Sequence, residues 1–122
     1  MSTAVPALNL SVLSGTLSRE PELRTLPSGD VLLELQVTTR TSAATDSVPV
    51  SWPDPPRSAT GWSAGQAVVV VGRVRRRFFR AGGATASRTE VVAERVVPAS
   101  RRKAAADLLA GAAAAVAAPP PG

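Results

Sequence analysis

The stretch from Ala67 to Val97 limits the fold more than any other part of this chain. Ala67–Phe79 reads as one long strand, and Arg80–Ser87, with Gly82 and Gly83, reads as a flexible tip. Arg88–Val97 then returns as the partner, because two β-rich runs on either side of a glycine pair predict a hairpin. Alternate side chains of an extended strand share a face. Arg73, Arg75, Arg77 and Phe79 therefore point one way, and Val68, Val70, Gly72 and Val74 the other. Five of the fourteen basic residues lie between Arg73 and Arg80, and Val68–Arg80 contains no acidic residue. Guanidinium groups neutralise phosphates, and an aromatic ring beside them gives a base a flat surface to stack on. The competing reading is a solvated edge strand whose arginines discourage aggregation.

The rest of the chain supplies more strands. Residues 1–7 read as a flexible leader. Leu8, Leu10 and Val12 alternate with Asn9 and Ser11, and Gly15 interrupts before Leu17, which suits a first strand with a bulge or a close backbone approach at the glycine. Arg19–Arg24 follows, and Pro27-Ser28-Gly29-Asp30 is a turn leading into the second strand, where Val31, Leu33, Leu35 and Val37 alternate with more polar neighbours. Thr39–Ser47 reads as a polar loop. Val48, Val50 and Trp52 form a short third strand in which Pro49 cannot donate to a ladder, so that strand lies at an edge or turns that position away from a neighbour. Pro53–Gly65, rich in proline around Trp62, argues against a regular helix.

Five strands over residues 8–99 make an all-β domain. The segment 100–122 is a basic, alanine-rich low-complexity tail, disordered or partly helical: the triplet Arg101-Arg102-Lys103, a frayed helix, then the extended cap Pro119-Pro120-Pro121-Gly122. A length of 122 residues with 44% hydrophobic content provides one small core. The net charge of +5 points to polyanionic partners rather than a small-molecule substrate. There is no cysteine and no histidine, which removes disulfides, thiolate sites and the usual nucleophile and base arrangements. Carboxylates remain, but Glu20, Glu22, Glu90 and Glu94 read as charge partners for nearby arginines, Arg19 and Arg24 among them. The expectation is a non-enzymatic, cofactor-free and metal-free chain. No segment has the pattern of a secretory signal or a membrane span, so a cytoplasmic location is expected.

Five short strands with a glycine-marked first strand and a long basic hairpin suggest a Greek-key barrel of the oligonucleotide-binding (OB) type. The run Leu13-Ser14-Gly15-Thr16-Leu17-Ser18-Arg19-Glu20-Pro21-Glu22-Leu23-Arg24, followed by Pro27-Ser28-Gly29, resembles the opening of bacterial single-stranded-DNA-binding proteins. In that family the stretch reads valine-glycine-x-leucine, then aspartate-proline-glutamate-leucine-arginine, then proline-x-glycine. Gly72-Arg73-Val74-Arg75 and Thr89-Glu90-Val91-Val92-Ala93-Glu94 resemble its fourth and fifth strands, so the resemblance spans roughly residues 8–98.

The resemblance implies an OB fold, sequence-tolerant binding of single-stranded DNA in replication, recombination or repair, and a homo-oligomer, either dimer or tetramer. The family stacks bases on a few aromatic rings. Trp52 and Phe79 match two of those positions, whereas Ser47 and the stretch Thr41–Ala44 stand where two others are expected. Arg40 and Arg88 would flank the same groove. The nucleic-acid site is thus Arg73, Arg75, Arg77, Phe79, Arg80, Trp52, Arg40 and Arg88, with Trp62 structural and Phe78 capping the barrel or meeting a second subunit. The sequence also departs from the family in lacking a helix-compatible segment between strands three and four and an acidic tip ending in phenylalanine. With only four aromatics in the chain, a second reading stands beside the first: an OB-type protein-interaction module in a replication, recombination or competence assembly, with weak or no DNA binding.

Overall fold

The alternation of the second expected strand carries through to the folded chain. In the computed structural model, which describes residues 7–118, strand β3 (Val31–Arg40) buries Leu33, Leu35 and Val37 and leaves Leu32, Glu34 and Gln36 partly exposed on the opposite face. Around it run β1 (Ser11–Leu17), β2 (Glu22–Thr25), β4 (Thr45–Pro53), β5 (Ala67–Ala81) and β6 (Ala84–Pro98), with a 3-10 turn at Arg57–Gly61 and one helix, α1 (Arg102–Ala117). The sheet order is β1-β5-β6-β4-β3-β2, and β1 also meets β3 through Thr16↔Thr38 and Leu17↔Val37. The sheet therefore closes partly into a ring. Its one parallel pairing is brief, Val50↔Val91 and Ser51↔Val92 between β4 and β6.

The ring encloses the core. Leu17, Leu33, Val37, Val50, Val68 and Val70 are almost completely excluded from water, and each such side chain contributes on the order of 1.5–3 kcal/mol of burial free energy. Closure requires close strand contact at Gly15, where a Cβ would run into the carbonyl oxygen of Thr38, so the glycine does mark a close backbone approach. Trp62 seals one side by packing on this core from the segment after the 3-10 turn. Val68 and Val70 face inward, as alternation predicts.

The strand boundaries differ from the sequence expectation in three places. Glu22–Thr25, expected to belong to a connection, is an edge strand paired with β3 from Glu22↔Glu34 to Thr25↔Val31, so the sheet has six strands rather than five. The Leu26–Asp30 turn is tight enough to return the chain in register, with Leu26 N–H donating to the Asp30 carbonyl at 2.8 Å. The loop expected over Thr39–Ser47 shrinks to Thr41–Ala44, because β-branched Thr38, Thr39 and Thr45 suit a solvated hairpin as well as a loop. The tip expected over Arg80–Ser87 is a two-residue turn: the ladder continues to Ala81↔Ala84, and Gly82 and Gly83 have φ of +57° and +81°, the left-handed conformation that such turns require.

The tail takes the helical of its two expected forms. Residues 102–117 form an ordered helix that lies on the outside of β5 and β6, with Ala105 packed against Val69 and Val97 and with Ala104 and Leu108 beside them. This accounts for the apolar character of both faces of Val68–Val71: one face lines the ring, and the other is covered by α1 of the same chain rather than awaiting a second subunit. The expected leader, apart from Ala7, and the proline cap lie outside the described residues. No described helix is long and apolar enough to cross a membrane.

Candidate nucleic-acid interface

Strands β5 and β6 leave the ring together. The ladder of β1 on β5 ends at Ser11↔Gly72, and β4 meets β6 only at Val91 and Val92, so residues 73–81 and 84–90 form a two-stranded ribbon. At ~3.3 Å per residue it extends roughly 30 Å. Near its base the Asn9 side-chain amide donates to the Val74 carbonyl at 2.7 Å and accepts from the Val74 N–H at 2.9 Å, taking the place of a neighbouring strand.

One row of the ribbon carries Arg73, Arg75, Arg77 and Phe79, faced across the ladder by Val92, Glu90, Arg88 and Ala86. Five of the eight expected site residues are thus brought onto one surface. The carboxylate of Glu90, 4% exposed, accepts from Arg75 Nη2 at 3.1 Å and from Arg77 Nε at 3.0 Å, both on Oε1. The arginine run has no acid in sequence, but the hairpin supplies one in space. Arg77 also lies over the Phe79 ring, 5.4 Å from its centroid, which is cation–π range. Among the described residues Arg73 and Arg88 have no carboxylate at ion-pair distance.

The remaining expected residues fall elsewhere. Arg80 belongs to the opposite row and donates from Nη2 to the Gly83 carbonyl at the tip, 3.3 Å away. Arg40 is exposed at the end of the neighbouring β3–β4 hairpin, opposite Thr45. Trp52 is a correction: it is 6% exposed, lies inside the ring, and stacks on Trp62 with centroids 5.7 Å apart, so neither face of its indole is open to a base. The inner row of β4 holds Val50 and Trp52, and Ser51 lies on the other row, buried at the foot of the groove beside Arg75 and Glu90.

Phe78 is a second correction, in one of its two expected roles. It does not cap the barrel but stands 63% exposed on the other row, compared with 38% for Phe79, with Arg76 over its ring at 5.1 Å. It lies beyond the part of β5 that pairs with β1, where β5 and β6 have left the ring. Arg24 is a third: it pairs with Glu34 at 2.8 Å rather than with Glu20 or Glu22, because the β2–β3 register sets it diagonally from Glu34, and this hydrogen bond and charge hold the Arg24 pKa above its ordinary value.

Arg24 and Glu34, with Ser51, Leu32, Arg75 and Glu90, line a groove of about 250 Å³ that joins the foot of the ribbon to the outer face of β3 and β4. Its walls mix both signs of charge, so the open cationic surface is the ribbon rather than the groove. Among the described residues no three His, Cys, Asp or Glu come together in a way that could hold a metal ion. No family model matches this chain, and no curated protein matches it.

Proposed function

We propose that this chain binds single-stranded DNA with little sequence preference, through the ribbon of β5 and β6. The observation that carries the reading is the single row Arg73, Arg75, Arg77 and Phe79, joined by Arg88, on a hairpin that projects from the ring. Cations spaced along a strand track a phosphate backbone, and the ring beside them accepts any base, because every base has a flat face. The ring order, with its single parallel pairing between β4 and β6, supports an OB barrel in which β1 and β2 share the role of the first strand. The resemblance to bacterial single-stranded-DNA-binding proteins adds a role in replication, recombination or repair at the nucleoid. A homo-oligomer belongs to the same reading, resting on the exposed Val74 and Phe78 in the second row of the ribbon.

A second reading, a protein-interaction module, draws support from the burial of Trp52 and from the two arginines tied to Glu90. Titration of a labelled oligothymidine at low salt separates the two: saturable binding supports the first, and its absence supports the second. Light scattering at micromolar concentration tests the oligomer, and a monomer mass removes it.

A further inference from the structure

We infer that Glu90 is a positioning residue that ties Arg75 and Arg77 into one unit, so that the two guanidiniums together offer the charge of a single phosphate site. The inference rests on the single-strand reading. Glu90 stands directly opposite Arg75 in the ladder and diagonally from Arg77, the two cross-strand positions from which side chains meet on one face. Its carboxylate is nearly enclosed, and an enclosed carboxylate is retained where cations and hydrogen bonds compensate its lost hydration. Both guanidiniums converge on the same oxygen, at 3.1 and 3.0 Å, while their own side chains stay 40% and 42% exposed. Their outer edges remain open to a ligand.

Two further details show that the pairing governs the geometry. Arg77 lies directly opposite Arg88, a like-charge register that opposes pairing, and its Nε donates to Glu90 on the diagonal. Arg75 reaches Glu90 through Nη2 while its Nε is buried without a hydrogen-bond partner, an arrangement held by the ion pair rather than by satisfaction of every donor. Two positive charges and one negative leave one net positive charge. Because Arg77 also covers Phe79, the same carboxylate fixes the ring beside the phosphate it helps to hold.

The consequence is specific to salt dependence. Each phosphate neutralised on a single strand adds about 0.7 to the slope of log affinity against log salt. Glu90→Gln keeps the shape and frees one charge, so its oligothymidine slope should be steeper than wild type by about 0.7. Glu90→Gln combined with Arg75→Gln should return to the wild-type slope. Arg75→Gln and Arg77→Gln should each flatten the slope by about 0.7, and Arg77→Gln in the Glu90→Gln background should also return to the wild-type slope. The comparison of Arg75→Gln with the double variant Arg75→Gln and Glu90→Gln, expected to differ by the same amount of about 0.7, decides the matter even if Glu90→Gln alone fails to fold by circular dichroism.

A purely structural Glu90 would lower the melting temperature and leave the slope unchanged, and arginines that act independently of Glu90 would leave Arg75→Gln and its double variant with Glu90→Gln at the same flattened slope. Either result overturns the inference while wild-type binding, and with it the single-strand reading, stands. Absence of wild-type binding at low salt overturns both.

Discussion

The indoles of Trp52 and Trp62 stack with centroids 5.7 Å apart and planes inclined by 30°, which commits the one tryptophan of β4 to the barrel interior. Addition of saturating oligothymidine should therefore leave intrinsic tryptophan fluorescence nearly unchanged. Trp62→Ala should lower stability by on the order of 3 kcal/mol in a denaturant titration, since a large ring leaves the core cluster. Strong quenching that saturates together with binding would place an indole at the DNA and contradict this assignment.

Phe79 and Phe78 stand on opposite rows of the ribbon, each under an arginine. Phe79→Ala should weaken oligothymidine binding by about 1–3 kcal/mol with little change in salt slope, because stacking releases no counterions. Phe78→Ala separates the two rows. If only the Arg73–Phe79 row contacts DNA, its affinity stays at the wild-type value, and an equal loss in both variants would mean that the strand wraps the ribbon. Phe79→Ala should not shift the melting temperature, since its side chain projects from the part of β5 and β6 beyond the ring.

Gly15 lies where β1 crosses β3, and a methyl group there meets the Thr38 carbonyl oxygen, which is backbone and has little freedom to move aside. Gly15→Ala should cost on the order of 1–3 kcal/mol. Thermal unfolding would show this, and a wild-type melting temperature would mean that the ring closes differently.

Helix α1 seats Ala105 between Val69 and Val97. Ala105→Glu introduces both bulk and charge at that contact. It should lower the melting temperature while leaving the salt slope of DNA binding intact, because the helix covers the opposite end of β5 from the arginine row. A loss of affinity at an unchanged melting temperature would show that the helix takes part in binding.

What the sequence made legible follows the distribution of apolar periodicity. The inward row Val68 and Val70 and the row Leu33, Leu35 and Val37 were readable because burial on one face imposes a period of two. The rows of the ribbon were also readable, since side-chain alternation belongs to any extended strand. Glu22–Thr25 was not, because a strand exposed on both faces has no hydrophobic signature and is defined only by its pairing with β3. The order of α1 was hidden for a related reason: alanine packs closely against Val69 and Val97 yet reads as low complexity. In the site, Arg75 and Arg77 could be found by composition, but their convergence on Glu90 depends on the register of the hairpin, which the glycine pair suggests without fixing. The burial of Trp52 depends on which row of β4 faces inward, and that row is set by β3 and β6 on either side of it.

The most direct test is a fluorescence-anisotropy titration of the wild-type protein with labelled oligothymidine across a salt series. If about four phosphates are neutralised by the ribbon, the slope of log affinity against log salt should be on the order of −3, which is roughly a 60-fold loss between 50 and 200 mM salt. Binding that ignores salt, or no binding at the lowest salt, would contradict the account.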